Sequence, residues 1–380
     1  MRLIELQNES DSLGACAAAE RAGADPNLRG WAALVPVAPD GALVFLEGLR
    51  HAGLAVLQGG RAALVLGSIA QIWGAARSLE DGLERDQPKR LARELRDRAA
   101  AVEAGPPIWK LRSRVLPAGR TLVMGIVNVT SDSFSDGGQL ASAEQAIAHA
   151  QRLVGDGADI IDVGGESTRP SAAPVSAEVE SARVLPVVRA LAEAGVVVSI
   201  DTTKASVARL ALDAGAEIVN DISALRDEAM APLIAEKSAA VCLMHLRGTP
   251  ADMQTRAVYR DLLGEVLAEL AQALERARDI APERIALDPG LGFAKTGAHN
   301  LLLLRRQREL TQLGRPLVVG PSRKSFLGHL TGKPPAERVI GTVAAAVLAA
   351  AAGASIVRVH DVAAVREALT VSDAIRTSRS

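Results

Sequence analysis

A cluster of hydroxyl and carboxylate side chains begins abruptly in the stretch MGIVNVTSDSFSDGG, residues 124–138. The apolar run Met124–Val127 is typical of a buried strand, and the carboxamide of Asn128 follows it directly. Thr130, Ser131, Asp132, Ser133, Ser135 and Asp136 then precede Gly137. Polar groups after a buried strand either form a solvated connection or bind a ligand, and the other strand ends decide between these interpretations.

Polar or titratable residues also follow the other apolar runs of the chain. Packing does not explain carboxylates and carboxamides at such positions, because burying them without partners is unfavourable. They indicate a polar ligand with several donors and acceptors, and the cations among them indicate that part of this ligand is an anion such as a phosphate. The residues are Asp162, Asp201, Asn220, His245, Asp288, Lys324, Arg358 and His360, with Arg169 shortly after Asp162.

Each of these residues also has an ordinary structural interpretation. Asp201 could cap the helix that begins near Lys204, and Asp221 could act as a cap as well. The segment Asp288–Gly290 is compatible with a simple turn, and His245 with a buried histidine whose hydrogen bonds are satisfied. Taken singly, these interpretations are as plausible as a functional one, but the whole set favours a site.

A short repeat relates three of the strand ends. In each copy a glycine suited to ending a helix follows an alanine-rich stretch and opens a β-branched run. A polar residue lies five positions after the glycine, so we expect the three polar residues to lie at equivalent heights near the carboxyl ends of their strands. The pairs are Gly157 and Asp162, Gly215 and Asn220, and Gly353 and Arg358.

Strand and helix patterns alternate through most of the chain. Eight strand–helix units in about 260 residues match an α/β fold, the (β/α)8 TIM barrel, whose active sites lie at the carboxyl ends of the strands. A doubly wound open sheet is the competing fold, but no GxGxxG follows a first strand, and the count of eight favours closure. Strands are predicted at about 121–127, 158–163, 196–200, 217–220, 240–244, 284–287, 316–319 and 355–359. Helices are predicted at about 141–155, 176–194, 204–214, 227–237, 258–279, 299–313, 336–352 and 361–376.

Residues 1–110 precede the barrel, which is predicted to occupy residues 111–380. They are predicted to form a small N-terminal α/β extension of unknown function, since no catalytic motif is visible in it. Predicted strands are Ala42–Leu46, Leu54–Leu57 and Ala62–Leu66, and predicted helices are 68–83 and 88–103.

Composition argues against several classes of partner. The 380 residues carry 43 lysines and arginines and 44 aspartates and glutamates, a net charge of −1, which supports neither a nucleic-acid nor a membrane partner. Cys16 and Cys242 lie far apart, which favours a reducing, cytoplasmic compartment. The segment 339–357 is uncharged, but its alanine content and Gly353 favour a buried helix and a buried strand over a membrane span.

Common signatures of metal and nucleotide sites are absent from the sequence. It contains no CxxC or HExxH of zinc type, and no GxSxG elbow or Walker loop. A magnesium ion held by one or two protein oxygens and a substrate diphosphate leaves no such signature. These motifs therefore neither support nor exclude a Mg²⁺ site.

Recognisable motifs stand one after another at the successive strand ends: NVTSDSFSDGG, GADIIDVGGESTRP, SIDTTK, IVNDIS, MHLRGTP, DPGLGFAKT, GPSRKSFLG and RVHDV. In this order they resemble the motifs of the dihydropteroate synthases, a family of pterin-binding barrels. The resemblance covers about residues 120–378 and leaves residues 1–110 uncovered.

The resemblance implies a transferase of folate biosynthesis. Such an enzyme joins 4-aminobenzoate to the methylene carbon of (7,8-dihydropterin-6-yl)methyl diphosphate, and it releases 7,8-dihydropteroate and diphosphate with help from Mg²⁺. The family also implies a cytoplasmic homodimer, small-molecule substrates as partners, and inhibition by sulfonamides.

The resemblance also implies roles for particular residues. A carboxylate suits the row of donors on a pterin, and the planar guanidinium of Arg358 suits stacking on the ring. Asp201, Asn220, Asp288, Lys324 and Arg358 would hold the pterin, and Asn128, Arg169 and His360 the diphosphate, with Asn128 also on Mg²⁺. Thr168, Pro170, Ser322, Phe134 and Phe293 would line the aminobenzoate site, and Asp201, Lys324, Arg358 and His360 would be the catalytic residues.

Three other functions compete with this interpretation. A methyltetrahydrofolate methyltransferase-type barrel would share the pterin pocket but should lack SRKS and the Arg-x-His of the last strand, both of which are present. A non-enzymatic paralogue would be expected to lack the diphosphate-binding cations, and these cations are present in this sequence. An aldolase-type barrel needs a Schiff-base lysine on a strand, whereas Lys324 is predicted in a loop.

Overall fold

The structure is a computed structural model, and its described residues divide into two compact units. One unit comprises Met1–Gly105 with Arg308–Gly314, and the other comprises Pro106–Gln307 with Arg315–Ser380. Trp109, predicted within the extension, thus belongs to the second unit. The described residues are 1–5, 31–36, 42–59, 62–83, 86–104, 107–129, 138–167 and 174–378.

Within its described residues, the first unit contains an antiparallel sheet of four strands with three helices. The strand order is β1-β2-β4-β3. Its core combines apolar residues of the sheet, among them Val35 and Val65, with Phe45 and Leu95 from the helices. The elements are β1 (Arg2–Glu5), β2 (Trp31–Pro36), α1 (Ala42–His51), β3 (Ala55–Gly59), β4 (Ala62–Gly67), α2 (Ile69–Gly82) and α3 (Asp86–Glu103).

The prediction of a strand at Ala42–Leu46 is wrong, because this segment begins helix α1. Buried residues of α1 are Ala42, Phe45, Leu46 and Leu49, which is the spacing of one helical face. A five-residue apolar run is too short for its period to distinguish a strand from a helix, and the pattern becomes clear only when Leu49 is included. The two strands predicted nearby and the two predicted helices are observed as β3, β4, α2 and α3, whereas β1 and β2 were not predicted.

The second unit contains eight parallel strands that form a (β/α)8 barrel, as predicted. The strand order is β10-β9-β8-β7-β6-β5-β12-β11. A parallel bridge between Leu287 and Leu317 joins the first and last of these strands, and the amide of Leu287 donates to the carbonyl of Pro316 at 2.9 Å. The strands are β5 (Leu122–Asn128), β6 (Ile160–Gly164), β7 (Val198–Asp201), β8 (Ile218–Asp221), β9 (Ala240–Met244), β10 (Ile285–Asp288), β11 (Val318–Val319) and β12 (Ile356–Val359).

Helices follow the barrel strands at all eight predicted places, with boundaries that shift by a few residues. The predicted helix 299–313 is divided into α9 and the 3₁₀ segment Gln307–Leu313. A further short helix, α10, begins directly after Lys324. The helices are α4 (Gly138–Gly155), α5 (Ala177–Glu193), α6 (Ala205–Asp213), α7 (Met230–Lys237), α8 (Leu262–Arg276), α9 (Gly297–Arg305), α10 (Ser325–Thr331), α11 (Val339–Ala351) and α12 (Val362–Thr377).

The three repeat glycines terminate helices as predicted. Gly157, Gly215 and Gly353 have φ angles of 97°, 110° and 93°, in the left-handed region that favours glycine. Each lies between a helix that has just ended and the next barrel strand, so the uncharged segment 339–357 forms α11 followed by β12. In the part of the chain that the structure describes, no helix has the length and apolar character that crossing a membrane requires.

The amino-terminal end of the barrel is closed by the chain that leads into β5. The Nε1 of Trp109 donates to the carbonyl of Arg284 at 2.9 Å, and Lys110 pairs with Val115 in an antiparallel bridge. Trp109 packs with inward-facing residues of the strands, among them Met124 and Ile160. This end is therefore a packed core, which leaves the carboxyl ends of the strands for a site.

Lys204, directly after β7, joins two carboxylates. Its Nζ lies 2.5 Å from Oε2 of Glu166 and 2.6 Å from Oε2 of Glu180, which is fully buried on α5. Oε1 of Glu166 also accepts from the amide of Val175 at 3.2 Å. Glu166, shortly after β6, therefore contacts both Val175, shortly before α5, and Lys204, directly after β7.

We expect Lys204→Met to lower the free energy of unfolding by about 3 kcal/mol, because it leaves the buried charge of Glu180 without its cation. Urea unfolding of the purified chain at neutral pH measures the effect. Lys237→Met is the matched control, since Lys237 pairs with the half-exposed Asp213 at 2.7 Å and should cost less than about 1 kcal/mol. Equal losses in the two variants would contradict this account of the network.

Candidate active site

The three polar residues of the repeat contact one another. Oδ2 of Asp162 accepts from Nδ2 of Asn220 at 3.0 Å and from Nε of Arg358 at 2.6 Å. Asp162 has no exposed surface, and Asn220 is also buried. The predicted equivalence of these positions is therefore observed as direct hydrogen bonding across the mouth of the barrel.

Arg358 also reaches a second carboxylate. Its Nη2 donates to Oδ2 of Asp201 at 2.7 Å, so one guanidinium joins Asp162 and Asp201. Asp201 is not the cap of α6, the structural alternative considered above. The amide of Ala205 instead donates to Asp227, and Lys204 has no side-chain cap bond.

Burial and ion pairing have opposite effects on the pKa values of Asp201 and Arg358. Burial raises the pKa of Asp201 to about 7, the nearby Asp162 adds to this rise, and Arg358 opposes it. Burial lowers the pKa of Arg358, but Asp162 and Asp201 outweigh this effect, and the net pKa lies above its usual range. Arg358 therefore remains cationic while Asp201 changes charge near neutral pH.

Backbone register brings further residues to the same level. Asn128 pairs with Gly164, Gly164 with Asp201, and Asp201 with Asn220, on four neighbouring strands. A Cβ on Gly164 would lie 3.5 Å from Cβ of Asp201 and 3.7 Å from Oδ1 of Asn128. The absence of a side chain at Gly164 therefore leaves room between these two polar groups.

Asp288 and Lys324 form a second group. Oδ1 of Asp288 accepts from the amide of Gly290 at 2.6 Å, so the turn predicted as the structural alternative is present as well. Burial raises the pKa of Asp288, while this amide and Lys324 oppose the rise. Burial lowers the pKa of Lys324 to about 8, and Arg358 contributes in the same direction. Electrostatic coupling thus joins this group to the Arg358 cluster.

Lys324 lies over an aromatic face. Its Nζ is 4.3 Å from the ring centroid of Phe293, a cation–π distance. Gly292 has a φ of 82°, and a Cβ on it would lie 3.1 Å from Cδ of Lys324. The glycine therefore permits both the backbone conformation and the close approach of the lysine.

Ser322 and His360 form a third group. The Ser322 hydroxyl accepts from the amide of His360 at 3.1 Å and lies 3.0 Å from Nδ1 of the same residue. In the tautomer that carries the imidazole proton on Nε2, Nδ1 accepts the hydrogen bond from the Ser322 hydroxyl. Burial lowers the pKa of His360 to about 3, and Arg358 and Arg323 add to the shift. The imidazole is therefore a neutral donor.

His245 belongs to a network behind the Phe293 loop. Its Nδ1 lies 2.9 Å from Nζ of Lys295, and its Nε2 lies 3.1 Å from Oε2 of Glu269. Lys295 also donates to the carbonyl of Phe293 at 2.9 Å. Burial lowers the pKa of His245 to about 4 and that of Lys295 to about 7. The interpretation of His245 as a buried, hydrogen-bonded residue fits these contacts.

Most of the predicted site residues are described by the structure, and they lie in neighbouring groups at the carboxyl ends of the strands. Asp201, Asn220 and Arg358 belong to one hydrogen-bonded cluster. Electrostatic coupling joins Asp288 and Lys324 to it, and Phe293, Ser322 and His360 flank these groups. Asn128 lies beside Gly164 at the level of Asp201. The last four candidates, Phe134, Thr168, Arg169 and Pro170, lie outside the described residues.

Asp162 is the member that sequence reasoning left without a role, although the repeat pointed to it. Its role depends on its partners, which the sequence does not show, since Arg358 lies 196 residues away in the chain. Its other oxygen, Oδ1, is buried without a hydrogen-bond partner among the described residues. A buried carboxylate with an oxygen to spare suits a donor on a ligand.

The donor set suits a magnesium ion only together with substrate oxygens. Among the described residues, no group of three His, Cys, Asp or Glu side chains is placed to hold a metal. Asn128 offers a carboxamide oxygen, a hard ligand that Mg²⁺ accepts, and Gly164 beside it has no side chain to cover this oxygen. The geometry thus fits an ion that retains water and phosphate oxygens as its main ligands.

Comparison with known proteins shows the family to which this barrel belongs. The model of the family described as pterin binding enzyme matches residues 124–360. A dihydropteroate synthase of Synechocystis sp. is 50% identical over 261 residues, which cover 67% of this chain and 90% of that protein.

Solved structures of high similarity carry the same description. The Yersinia pestis dihydropteroate synthase in a sulfonamide drug complex matches with a TM-score of 0.68 at 46% identity, covering 71% of this chain and 100% of that one. The Xanthomonas albilineans dihydropteroate synthase with 4-aminobenzoic acid matches with a TM-score of 0.68 at 44% identity, covering 72% and 100%. With a shared barrel and nearly half of the aligned residues identical, the chain belongs to the dihydropteroate synthase family of pterin-binding enzymes.

Proposed function

We propose that the chain condenses 4-aminobenzoate with (7,8-dihydropterin-6-yl)methyl diphosphate to give 7,8-dihydropteroate and diphosphate. The observation that carries this proposal is the cluster in which Arg358 joins Asp162 and Asp201 beside Asn220. Buried carboxylates and a carboxamide accept the donors of a pterin, and the cations near them suit an anionic leaving group.

The pterin binds, in this proposal, between the Arg358 cluster and Lys324. Asp288 and Asn220 hold its amide and amino edge, and Asp201 holds the opposite side of the ring. Lys324 donates to the carbonyl and ring nitrogen, while the guanidinium plane of Arg358 faces the ring. The ion pairs of Arg358 support this arrangement because they fix the plane before substrate arrives.

Bond exchange occurs at the methylene carbon. The carbon–oxygen bond to diphosphate breaks, the amine lone pair of aminobenzoate forms the carbon–nitrogen bond, and the alkylated nitrogen gives one proton to solvent. Neutral His360 donates its Nε2 proton as a hydrogen bond to the departing diphosphate, and Arg169 adds positive charge. The amine attacks directly, so the chain contributes no covalent nucleophile.

Asn128 would hold magnesium together with the diphosphate oxygens. A bound Mg²⁺ supplies charge neutralisation of the leaving group. Ser322, next to His360, and Phe293, beneath Lys324, would line the aminobenzoate subsite with Thr168, Pro170 and Phe134. The amine would therefore approach from the side where the Lys324 loop meets the His360 strand end.

We also propose a cytoplasmic homodimer. Large apolar side chains on two neighbouring barrel helices are exposed, Ile340 and Leu348 on α11 and Val371 and Ile375 on α12. Exposed apolar surface of this kind supports association with a second copy. The cytoplasmic location rests on the low cysteine content, with the thiol of Cys242 free and buried.

An assay for dihydropteroate, started from the two substrates with and without Mg²⁺, tests the proposal. We expect product from the purified full-length chain that depends on both substrates and increases with Mg²⁺. A variant with Asp201→Asn should lose roughly 10²- to 10⁴-fold in kcat/KM, because a carboxylate acceptor for the pterin ring is lost. Absence of product from folded wild-type protein would refute the proposed reaction.

The pH dependence of kcat/KM should show a falling limb near pH 8. The ammonium of Lys324 loses its proton as pH rises through its pKa of about 8, so its interaction with the ring is present below this pH and lost above it. Arg358, Asp201 and Asp288 are the charged groups that face it. Lys324→Arg, which remains charged, should remove the falling limb even where the rate is lower. An unchanged limb in that variant would show that another group titrates.

A sulfonamide should compete with aminobenzoate for the same subsite, because both are flat arylamines with an acidic or anionic group at the opposite end. Initial rates at several concentrations of both compounds should show a raised KM for aminobenzoate with kcat unchanged. Inhibition that persists at saturating aminobenzoate would place the drug elsewhere.

A further inference from the structure

Two neighbouring residues after β11 bind two neighbouring residues after β12. Ser322 contacts His360, and Arg323 contacts Asp361, in both cases with a separation of 38 residues. The same separation relates the strands themselves, where Val318 pairs with Ile356. The side chains therefore continue the register of the β11–β12 pairing beyond the end of the backbone ladder.

The outer of these two contacts is a bidentate ion pair. Nε of Arg323 lies 3.1 Å from Oδ2 of Asp361, and Nη2 lies 2.5 Å from Oδ1. The Asp361 side chain is 12% exposed and that of Arg323 is 34% exposed. A planar two-point contact with limited solvent access fixes orientation better than a flexible surface pair does.

Arg323 also has an unusual backbone conformation. Its φ of 57° is left-handed, which costs about 1 kcal/mol or more for a residue with a Cβ. Several contacts hold it there: its amide donates to Oγ1 of Thr342 at 3.1 Å, and Nη1 of Arg338 donates to its carbonyl at 2.8 Å. Such over-determined strain beside a site indicates that the direction of the chain matters.

The strained residue separates two groups of the site. Ser322 before it binds His360, and Lys324 after it lies over Phe293. Turning the chain at Arg323 therefore directs these two side chains toward different parts of one pocket. On the facing strand end, Asp361 directly follows His360.

We propose that Arg323 and Asp361 are positioning residues whose ion pair aligns Lys324 with His360, and through them the pterin with the departing diphosphate. Neither residue needs to touch substrate, since the guanidinium and the carboxylate are directed at each other. The inference rests on the proposed function, because the two aligned groups serve the two ends of one substrate. A bond that breaks between those ends is sensitive to their alignment.

Steady-state kinetics of Arg323→Met, Asp361→Asn and the double variant test the inference. We expect each single variant to lower kcat by about 10- to 100-fold, with both KM values changed far less, because misalignment affects the transition state more than binding. The double variant should be no slower than the slower single variant, because the two residues act as one unit. Arg323→Lys, which keeps the charge but not the two-point contact, should lie between wild type and Arg323→Met.

Arg120→Met is the matched control. Arg120 and Asp159 form a bidentate pair with distances of 3.0 and 2.5 Å and similar exposure, 43% and 16%, at the amino-terminal end of the barrel strands. This variant should retain kcat within about twofold, and it should cost little stability because Asp159 also pairs with Arg366. Thermal unfolding of all variants verifies folding, and Asp361→Asn, nearly isosteric, retains the test if Arg323→Met does not fold.

Three results would overturn the inference: a wild-type kcat in Asp361→Asn, losses that multiply in the double variant, or an equal loss in Arg120→Met. Failure of the proposed function is a different result, since it appears as inactive wild-type protein. With active wild type, the variants address the positioning role alone.

Discussion

The site depends on one guanidinium that is shared by two carboxylates. Arg358 on β12 binds Asp162 on β6 and Asp201 on β7, and Asp162 also binds Asn220 on β8. Each strand end would otherwise present a polar group at a low-dielectric pocket, at a cost of several kcal/mol for an unpaired charge. Because the partners are held before any ligand binds, the pterin contacts that we propose need little reorganisation of these side chains.

Barrel closure explains why residues so distant in sequence can cooperate. Parallel register places Asn128, Gly164, Asp201 and Asn220 at one level on consecutive strands. The sheet must then curve so that β12 lies beside β5 and Arg358 can reach across to the carboxylates. In an open sheet these side chains would form a row, whereas the closed barrel arranges them around a common pocket.

The sequence predicted the barrel and much of its mouth, because both depend on short-range patterns. A glycine, a β-branched run and a polar residue were enough to place Asn220 and Arg358 at matching strand ends. Partner choice depends on three-dimensional distances, so the pairing of Arg323 with Asp361 and the central position of Asp162 were not predictable. Local ambiguity also misled the prediction at Ala42–Leu46, where a short apolar run fits either secondary structure.

Desolvation acts in two opposing ways in such a pocket. Excluding water strengthens every charged contact, but it also drives the ionisable groups toward their neutral forms. The effect brings the pKa of Asp201 up to about 7 and that of Lys324 down to about 8, and it keeps His360 neutral with a pKa of about 3. A guanidinium keeps its charge under the same conditions. The residue that faces both Asp162 and Asp201 is an arginine, which keeps its charge whether or not Asp201 is ionised, whereas Lys324 loses its charge above its pKa of about 8.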